Sequence, residues 1–138
     1  LDQKEIYKYD NNGQLIELTF LNPDETVNWK YKYSYDAQGN KTIEILYTAD
    51  EQEDDRINYK YDRNGNIIEK RINNNLKNSF KYDDNNNLIE EIEYSNDGKI
   101  ANKFQLIYNN KNLVVEKKQL NLKNNTYETI SKYEYLFY

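Results

Sequence analysis

The sequence predicts an all-β protein, an antiparallel up-and-down meander of about eleven strands that forms one curled or rolled sheet. Two observations carry this prediction. A tyrosine-led motif recurs along the chain about every 26 residues, and apolar and polar residues alternate in the segments between its copies. The composition agrees, because 15 of the 138 residues are tyrosine and tyrosine suits a half-exposed sheet face. We treat residues 1–138 as a single domain of ~26-residue hairpin repeats.

The repeat is visible in five segments, which read YDNNGQLIE (9–17), YDAQGNKTIE (35–44), YDRNGNIIE (61–69), YDDNNNLIE (82–90) and YNNKNLVVE (108–116). Their leading residues are Tyr9, Tyr35, Tyr61, Tyr82 and Tyr108, at spacings of 26, 26, 21 and 26. A final half-repeat places Tyr135 another 27 residues on. Regular recurrence of this kind indicates one supersecondary structure used several times.

Each repeat reads as two strands and two turns. In the strand that enters the second motif, Val27, Trp29, Tyr31, Tyr33 and Tyr35 alternate with polar residues, as in a half-buried strand. The Asp-x-x-Gly segment predicts a hairpin turn, because Asp can bond its own backbone and Gly tolerates a positive φ. The returning strand then places apolar residues on one side, namely Ile16, Leu18 and Phe20 in the first repeat and Ile43, Ile45 and Tyr47 in the second.

We expect the tyrosines to share one apolar face and the charges to lie on the other. The outer face would carry Lys8, Lys32, Lys60 and Lys81 on entering strands and Glu17, Glu44, Glu69, Glu90 and Glu116 on returning strands. In "LIEEIEY" (88–94) either apolar set can face inward, so its register stays open. An apolar face open to water favours curling of the sheet into a barrel or half-shell, or contact with a second copy or another domain.

Composition excludes several classes of function. The net charge of −5, with both signs interspersed, leaves no basic stripe for nucleic acid. Without Cys or His, thiolate chemistry, the usual zinc sites and most nucleophile–base pairs cannot be built. We therefore expect no catalytic residues, no metal and no cofactor. No apolar run approaches the ~20 residues of a membrane span, and a start at Leu1 leads us to expect that a signal or anchor segment was removed.

Repeated Tyr-Asp-x-x-Gly followed by two aliphatic residues and a polar one resembles the YD repeat of bacterial RHS proteins, related toxin shells and animal teneurins. The likeness covers the chain from Tyr7 to about Glu116. It implies β-hairpins in curled sheets, a wall-associated or carbohydrate-binding role, and a bacterial surface or secreted location, and it supplies no catalytic residues. Five repeats are too few to enclose a cargo, and the self-cleaving element of full shells is not evident. MORN-type hairpin arrays share the period, but they need more glycine than the 4 present.

The aromatic stripe supplies the candidate ligand-binding residues, which are Trp29, Tyr31, Tyr33 and Tyr47. Sugars stack on such rings, although the stripe can equally be the packed face of the sheet. The acidic loop at 50–55 is the best calcium candidate, but no copy has the ligand array of an EF-hand, so turn chemistry is favoured. Adjacent carboxylates such as Asp54 and Asp55 should point to opposite faces and therefore could not flank one scissile bond.

The sequence thus leads us to expect a non-enzymatic bacterial surface or secreted module that binds a glycan or a protein, and a lipoprotein whose signal was removed is one form this location could take. The alternative is a structural spacer or a fragment of a larger shell that associates through its end strands, near Gln3–Tyr9 and Lys132–Tyr138. A small immunity-type protein that blocks a partner by β-surface contact is a third option.

Overall fold

The computed structural model describes residues 4–136 as an all-β protein with eleven strands. They are β1 Lys4–Tyr9, β2 Leu15–Leu21, β3 Val27–Tyr35, β4 Lys41–Thr48, β5 Glu53–Tyr61, β6 Ile67–Ile72, β7 Asn75–Tyr82, β8 Leu88–Tyr94, β9 Ile100–Tyr108, β10 Val114–Asn121 and β11 Thr126–Lys132. Gln3, Phe137 and Tyr138, which the end-strand expectation included, lie outside the described residues.

The strands form one antiparallel sheet in the order of the sequence, with no crossover, so the predicted meander is confirmed. The sheet is open and not closed into a barrel, and β1 and β11 are its two edges. Across residues 4–136 there is no helix with the length and apolar character needed to cross a membrane.

The chain divides into two compact units. The first contains the residues up to Tyr61 together with Lys70–Asn75, and the second contains Asp62–Glu69 together with the residues from Leu76 onward. Burial is shallow: in the described part of the chain only Leu21 and Thr19 are buried, at 7% and 8% exposure. The fold therefore depends on strand pairing and half-buried cross-strand pairs more than on a closed core.

The motif forms the turn that its chemistry predicts. In the first copy the Asp10 Oδ1 atom accepts hydrogen bonds from the backbone amides of Asn12 and Gln14, at 2.9 and 2.8 Å. Gly13 takes a φ of 79°. The fourth and fifth copies put Asn86 and Asn112 at this position, with φ of 63° and 58°, because Asn tolerates the left-handed region better than other side chains do.

A β-bulge follows the turn at the same place in the four copies for which the pairing is described. In the first hairpin Tyr9 pairs with Leu15 and Lys8 pairs with Glu17, so that Ile16 has no opposite residue. The equivalent residues in the second, fourth and fifth copies are Thr42, Ile89 and Val115. A bulge at a fixed position sets the pairing of each returning strand.

The expected separation of faces is correct for the first repeat and wrong for the second. Glu17 lies opposite Lys32, as expected, whereas Glu44 lies opposite Tyr33, and Ile45 lies opposite Lys32. The cause is one extra residue in "YDAQGNKTIE", which shifts the phase of β4 and exchanges the faces of its side chains. Ile43, Ile45 and Tyr47 therefore lie on the lysine face.

The open register of β8 is settled by its neighbours. Ile92 lies opposite Ser79 and Lys103. Glu91 lies between Phe80 and Phe104, so carboxylates also enter the aromatic face of the second unit. On the other face Glu90 forms ion pairs with Lys81 and Lys103, at 2.8 and 2.9 Å.

Candidate functional site

A row of aromatic rings crosses β2 and β3 in the first unit. Phe20 stacks on Trp29, with ring centroids 4.9 Å apart, and meets the edge of Tyr31 at 6.4 Å. Tyr31 and Tyr33 are parallel to within 9°, with centroids 6.2 Å apart. The strand pairing explains this row, because Phe20 lies opposite Trp29 and Leu18 lies opposite Tyr31. Cross-strand aromatic pairs of this kind stabilise the sheet and hold the rings in one orientation.

A groove of about 360 Å³ lies on the β4 side of this row. Its walls include Trp29, Tyr31 and Leu46, and its polar lining includes Asn28, Thr48 and Asp54. A smaller hollow of about 120 Å³ shares Tyr31 and Leu46 and adds Glu44, Asp55 and Ile57. Aromatic walls with a few polar groups are typical of small-ligand sites, whose volumes begin at about 300 Å³.

The four candidate residues do not share one face. Trp29, Tyr31 and Tyr33 lie together on the aromatic row, and the first two line the groove. Tyr47 lies opposite Lys30 on the other face of the sheet, and the Nζ atoms of Lys30 and Lys32 lie 5.7 and 5.2 Å from its ring centroid. Tyr47 contributes to the edge of the groove, but its ring is engaged by the lysine face. This placement follows from the shifted phase of β4.

Tyr33 is held at the end of the row by a small charged cluster. Lys41 forms an ion pair with Glu44 and lies over the ring of Tyr33, with its Nζ atom 5.3 Å from the centroid. Burial raises the pKa of Tyr33, and the Glu44 carboxylate raises it further. The phenol therefore stays protonated at neutral pH and can donate a hydrogen bond.

Asp54 and Asp55 depart from the expected alternation. Leu46 pairs with Asp55 and Tyr47 pairs with Glu53, so Asp54 is the extra residue of a bulge in β5. Both carboxylates consequently serve the same surface, since Asp54 lines the groove and Asp55 lines the adjoining hollow. The expectation that this pair points to opposite faces was wrong because a bulge breaks the period of two.

Most carboxylates near the groove are paired, and Asp54 is the exception. Asp55 accepts a hydrogen bond of 2.9 Å from the Asn73 side chain, and Glu44 is paired with Lys41. Within residues 4–136 the Asp54 carboxylate makes no ion pair or hydrogen bond. It is therefore the one acidic group of the groove that is free to meet a ligand.

The acidic loop at 50–55 is organised by cations of the protein itself. Glu51 pairs with Lys30 at 2.5 Å, and Glu53 pairs with Arg56 at 2.8 Å. The hydrogen bond from Lys30 lowers the pKa of Glu51. Across the described residues no group of three or more acidic side chains is placed to hold a metal ion.

Sequence reasoning located the aromatic strand but missed Phe20, Leu46 and Asp54 as parts of the site. Phe20 and Leu46 were visible only as apolar residues of returning strands, and nothing in the sequence marks Asp54 as a bulged residue. Their contribution depends on which strands pair and in which register, and the phase of β4 and the bulge at Asp54 were not predicted.

The sequence matches no family model, and no curated protein matches it. Among solved structures, a Bacteroides fragilis NCTC 9343 protein of unknown function is similar with a TM-score of 0.36 and 15% identity, over 96% of this chain and 91% of that chain. TarM is similar with a TM-score of 0.37 and 14% identity, over 92% of this chain. A mutant of S. aureus TarM in complex with fondaparinux, alpha-GlcNAc-glycerol and UDP is similar with a TM-score of 0.36 and 13% identity, over 91% of this chain. The chain spans 21% of either TarM chain.

Proposed function

We propose that this chain is a non-enzymatic binding module of the YD-repeat type, at a bacterial surface or secreted, that recognises a glycan through the groove beside Trp29. The observation that carries the proposal is the aromatic row of Phe20, Trp29 and Tyr31, in which Trp29 and Tyr31 line a groove that also has polar groups in its lining. The C–H-rich face of a pyranose ring packs against such rings, while its hydroxyls need donors and acceptors beside them.

The polar lining supplies those partners. Asn28 offers both a donor and an acceptor, Thr48 offers a hydroxyl, and Asp54 offers an acceptor with no partner in the described part of the chain. Phe20, which is not among the lining residues of the groove, stacks on the Trp29 ring. The ring is therefore held in place before a ligand arrives, which reduces the entropy lost on binding.

The test uses Trp29 as an intrinsic probe, because it is the one tryptophan of the chain. Oligosaccharides from a broad glycan array are titrated against the protein, and a saturable change in Trp29 emission is expected with at least one of them. Tyr31→Ala should weaken that binding about fivefold or more, since one well-packed aromatic contact is worth at least ~1 kcal/mol. Tyr7→Ala, on exposed strand β1, is the control and should bind normally.

A blank array, together with an unchanged Trp29 emission across all glycans, would contradict glycan recognition. If the array is blank but a protein is retained in a pull-down and competes at Trp29, the partner is a protein that uses the same groove.

The open edges favour a second candidate, the spacer or shell-fragment role. Among the strands of residues 4–136, β1 and β11 are the two outermost in the sheet and pair on one side only. Ile6, Tyr7 and Tyr9 of β1 are 39%, 48% and 59% exposed. Unpaired strand edges are templates for further pairing. Light scattering at rising concentration tests this role: association that a proline at Tyr7 abolishes supports it, and a monomer at every concentration contradicts it.

A further inference from the structure

We propose that the groove selects an amino-sugar oligomer, in which the sugar carries a free ammonium group, over the N-acetylated form of the same oligomer. This inference rests on the glycan-binding function proposed above and adds the chemical class of the ligand. The observation behind it is the Asp54 carboxylate, which has no partner within residues 4–136 and lines the same groove as Trp29 and Tyr31.

The charge of the groove is one-sided. Among the described residues that line it there is no Lys or Arg, and Asp54 is the only charged one. The nearest lysines of β3, Lys30 and Lys32, lie on the other face of the sheet, where they contact Tyr47. A sugar that carries a carboxylate or sulfate would meet an uncompensated negative charge here, whereas an ammonium group would be attracted.

The strand pairing of β5 determines where Asp54 lies. The bulge in β5 leaves Asp54 without a residue opposite it and directs it into the groove. Glu44, Glu51, Glu53 and Asp55 of the loop and the adjoining hollow have partners within the protein. Asp50 of the same loop does not line the groove, so among the described residues Asp54 is the carboxylate left to pair with a ligand there.

The aromatic walls favour the same charge. A cation over the face of Trp or Tyr is attracted by the ring quadrupole, and Trp29 and Tyr31 both line the groove. An ammonium group between these rings and Asp54 would gain a cation–π contact and a charge-assisted hydrogen bond together. An N-acetyl group at the same position would keep the sugar packing and lose both charged interactions.

Two matched oligomers test the proposal: a glucosamine oligomer and the N-acetylglucosamine oligomer of equal length. At a pH at which the amine is protonated, Trp29 fluorescence should show about five- to tenfold tighter binding of the glucosamine oligomer. The preference should shrink in high salt.

Two isosteric variants separate a specific contact from general attraction to an acidic protein. Asp54→Asn keeps a hydrogen-bond acceptor at the groove and removes the charge, so it should abolish the preference by weakening binding of the glucosamine oligomer far more than binding of the N-acetylated oligomer. Asp50→Asn changes the net charge equally in the same loop but does not line the groove, so the preference should remain.

Equal binding of the two oligomers overturns the inference while glycan recognition stands, and so does a preference that survives in Asp54→Asn. A preference lost equally in both variants also overturns it, because attraction would then depend on overall charge. If neither these oligomers nor any array glycan binds, the proposed function itself fails.

Discussion

The hydroxyl of Tyr61 donates a hydrogen bond of 2.7 Å to the backbone carbonyl oxygen of Lys41, 20 residues earlier. The contact recurs in the other repeats from the second onward: the donors Tyr35, Tyr82, Tyr108 and Tyr135 reach the carbonyls of Leu15, Ile67, Leu88 and Val114 at 2.8 to 3.0 Å. Each acceptor lies two residues after the positive-φ residue of the preceding motif turn. The leading tyrosine of the motif therefore links successive hairpins through a side-chain to backbone hydrogen bond.

Replacing Tyr61 by Phe should cost about 1 kcal/mol of unfolding free energy, because a half-buried carbonyl loses its partner while the ring remains. Chemical denaturation measures the difference. Tyr9→Phe is the matched control, since Tyr9 holds the same motif position but makes no such bond within residues 4–136. An equal loss in both variants would show that the hydroxyl does not tie the hairpins.

Replacing Gly13 by Ala should destabilise the protein by about 1 kcal/mol. The added methyl group would meet no atom within 4 Å, so the cost comes from the φ of 79° alone. Gly13→Asn should cost less, because Asn86 and Asn112 occupy this position in other copies. If Ala and Asn are equally tolerated in urea denaturation, backbone strain is not what the glycine relieves.

Acid should destabilise the protein through its motif aspartates. The hydrogen bond from the Asn66 side chain, and then those from backbone amides, lower the pKa of Asp62 in the folded state. Hydrogen bonds from the side chains of Asn40 and Asn87 likewise lower the pKa of Asp36 and Asp83. A lowered folded pKa gives a stabilisation that is complete above the ordinary aspartate value of about 3.9 and disappears as the pH falls through the lowered value.

Urea denaturation from pH 7 to pH 2 should therefore show a loss of stability that begins near pH 4. Asn66→Ala should lower stability at pH 7, and its effect should shrink toward pH 2 as Asp62 becomes protonated. Asn11→Ala, a turn position with no bond to a carboxylate, is the control. An effect of Asn66→Ala that is the same at both pH values would contradict this account.

Truncation of Phe20 to Ala should lower the unfolding free energy by about 1–3 kcal/mol, because a half-buried ring stacked on Trp29 is removed. It should also shift Trp29 emission to the red as water reaches the exposed indole face. Phe104→Ala is the control in the second unit: it removes a ring that lies 4.2 Å from the Lys117 Nζ atom and should lower stability without changing that emission. Unchanged emission in Phe20→Ala would show that Phe20 does not shield Trp29.

Local chemistry made the turns and strands readable from the sequence. The Asp side chain that bonds its own backbone and the residue with positive φ act within five residues, so Asp10 to Gln14 could be interpreted without a fold. The hydrogen bond from Tyr61 to Lys41 could not be predicted in this way, because its acceptor is a backbone carbonyl, which carries no sequence signal. The recurrence of the leading tyrosine is the sequence feature that indicates a shared structural role for these residues.

The sequence by itself determined the hairpin repeat, its turn chemistry and the up-and-down order, since these follow from period-two alternation and from short-range hydrogen bonds. The tertiary structure alone decided which side chains share a face, because one extra residue in the second repeat and a bulge at Asp54 each reverse the alternation locally. Those two shifts move Tyr47 away from Trp29 and bring Leu46 and Asp54 toward it. The groove is therefore a product of register, which depends on pairing between strands and not on any one segment.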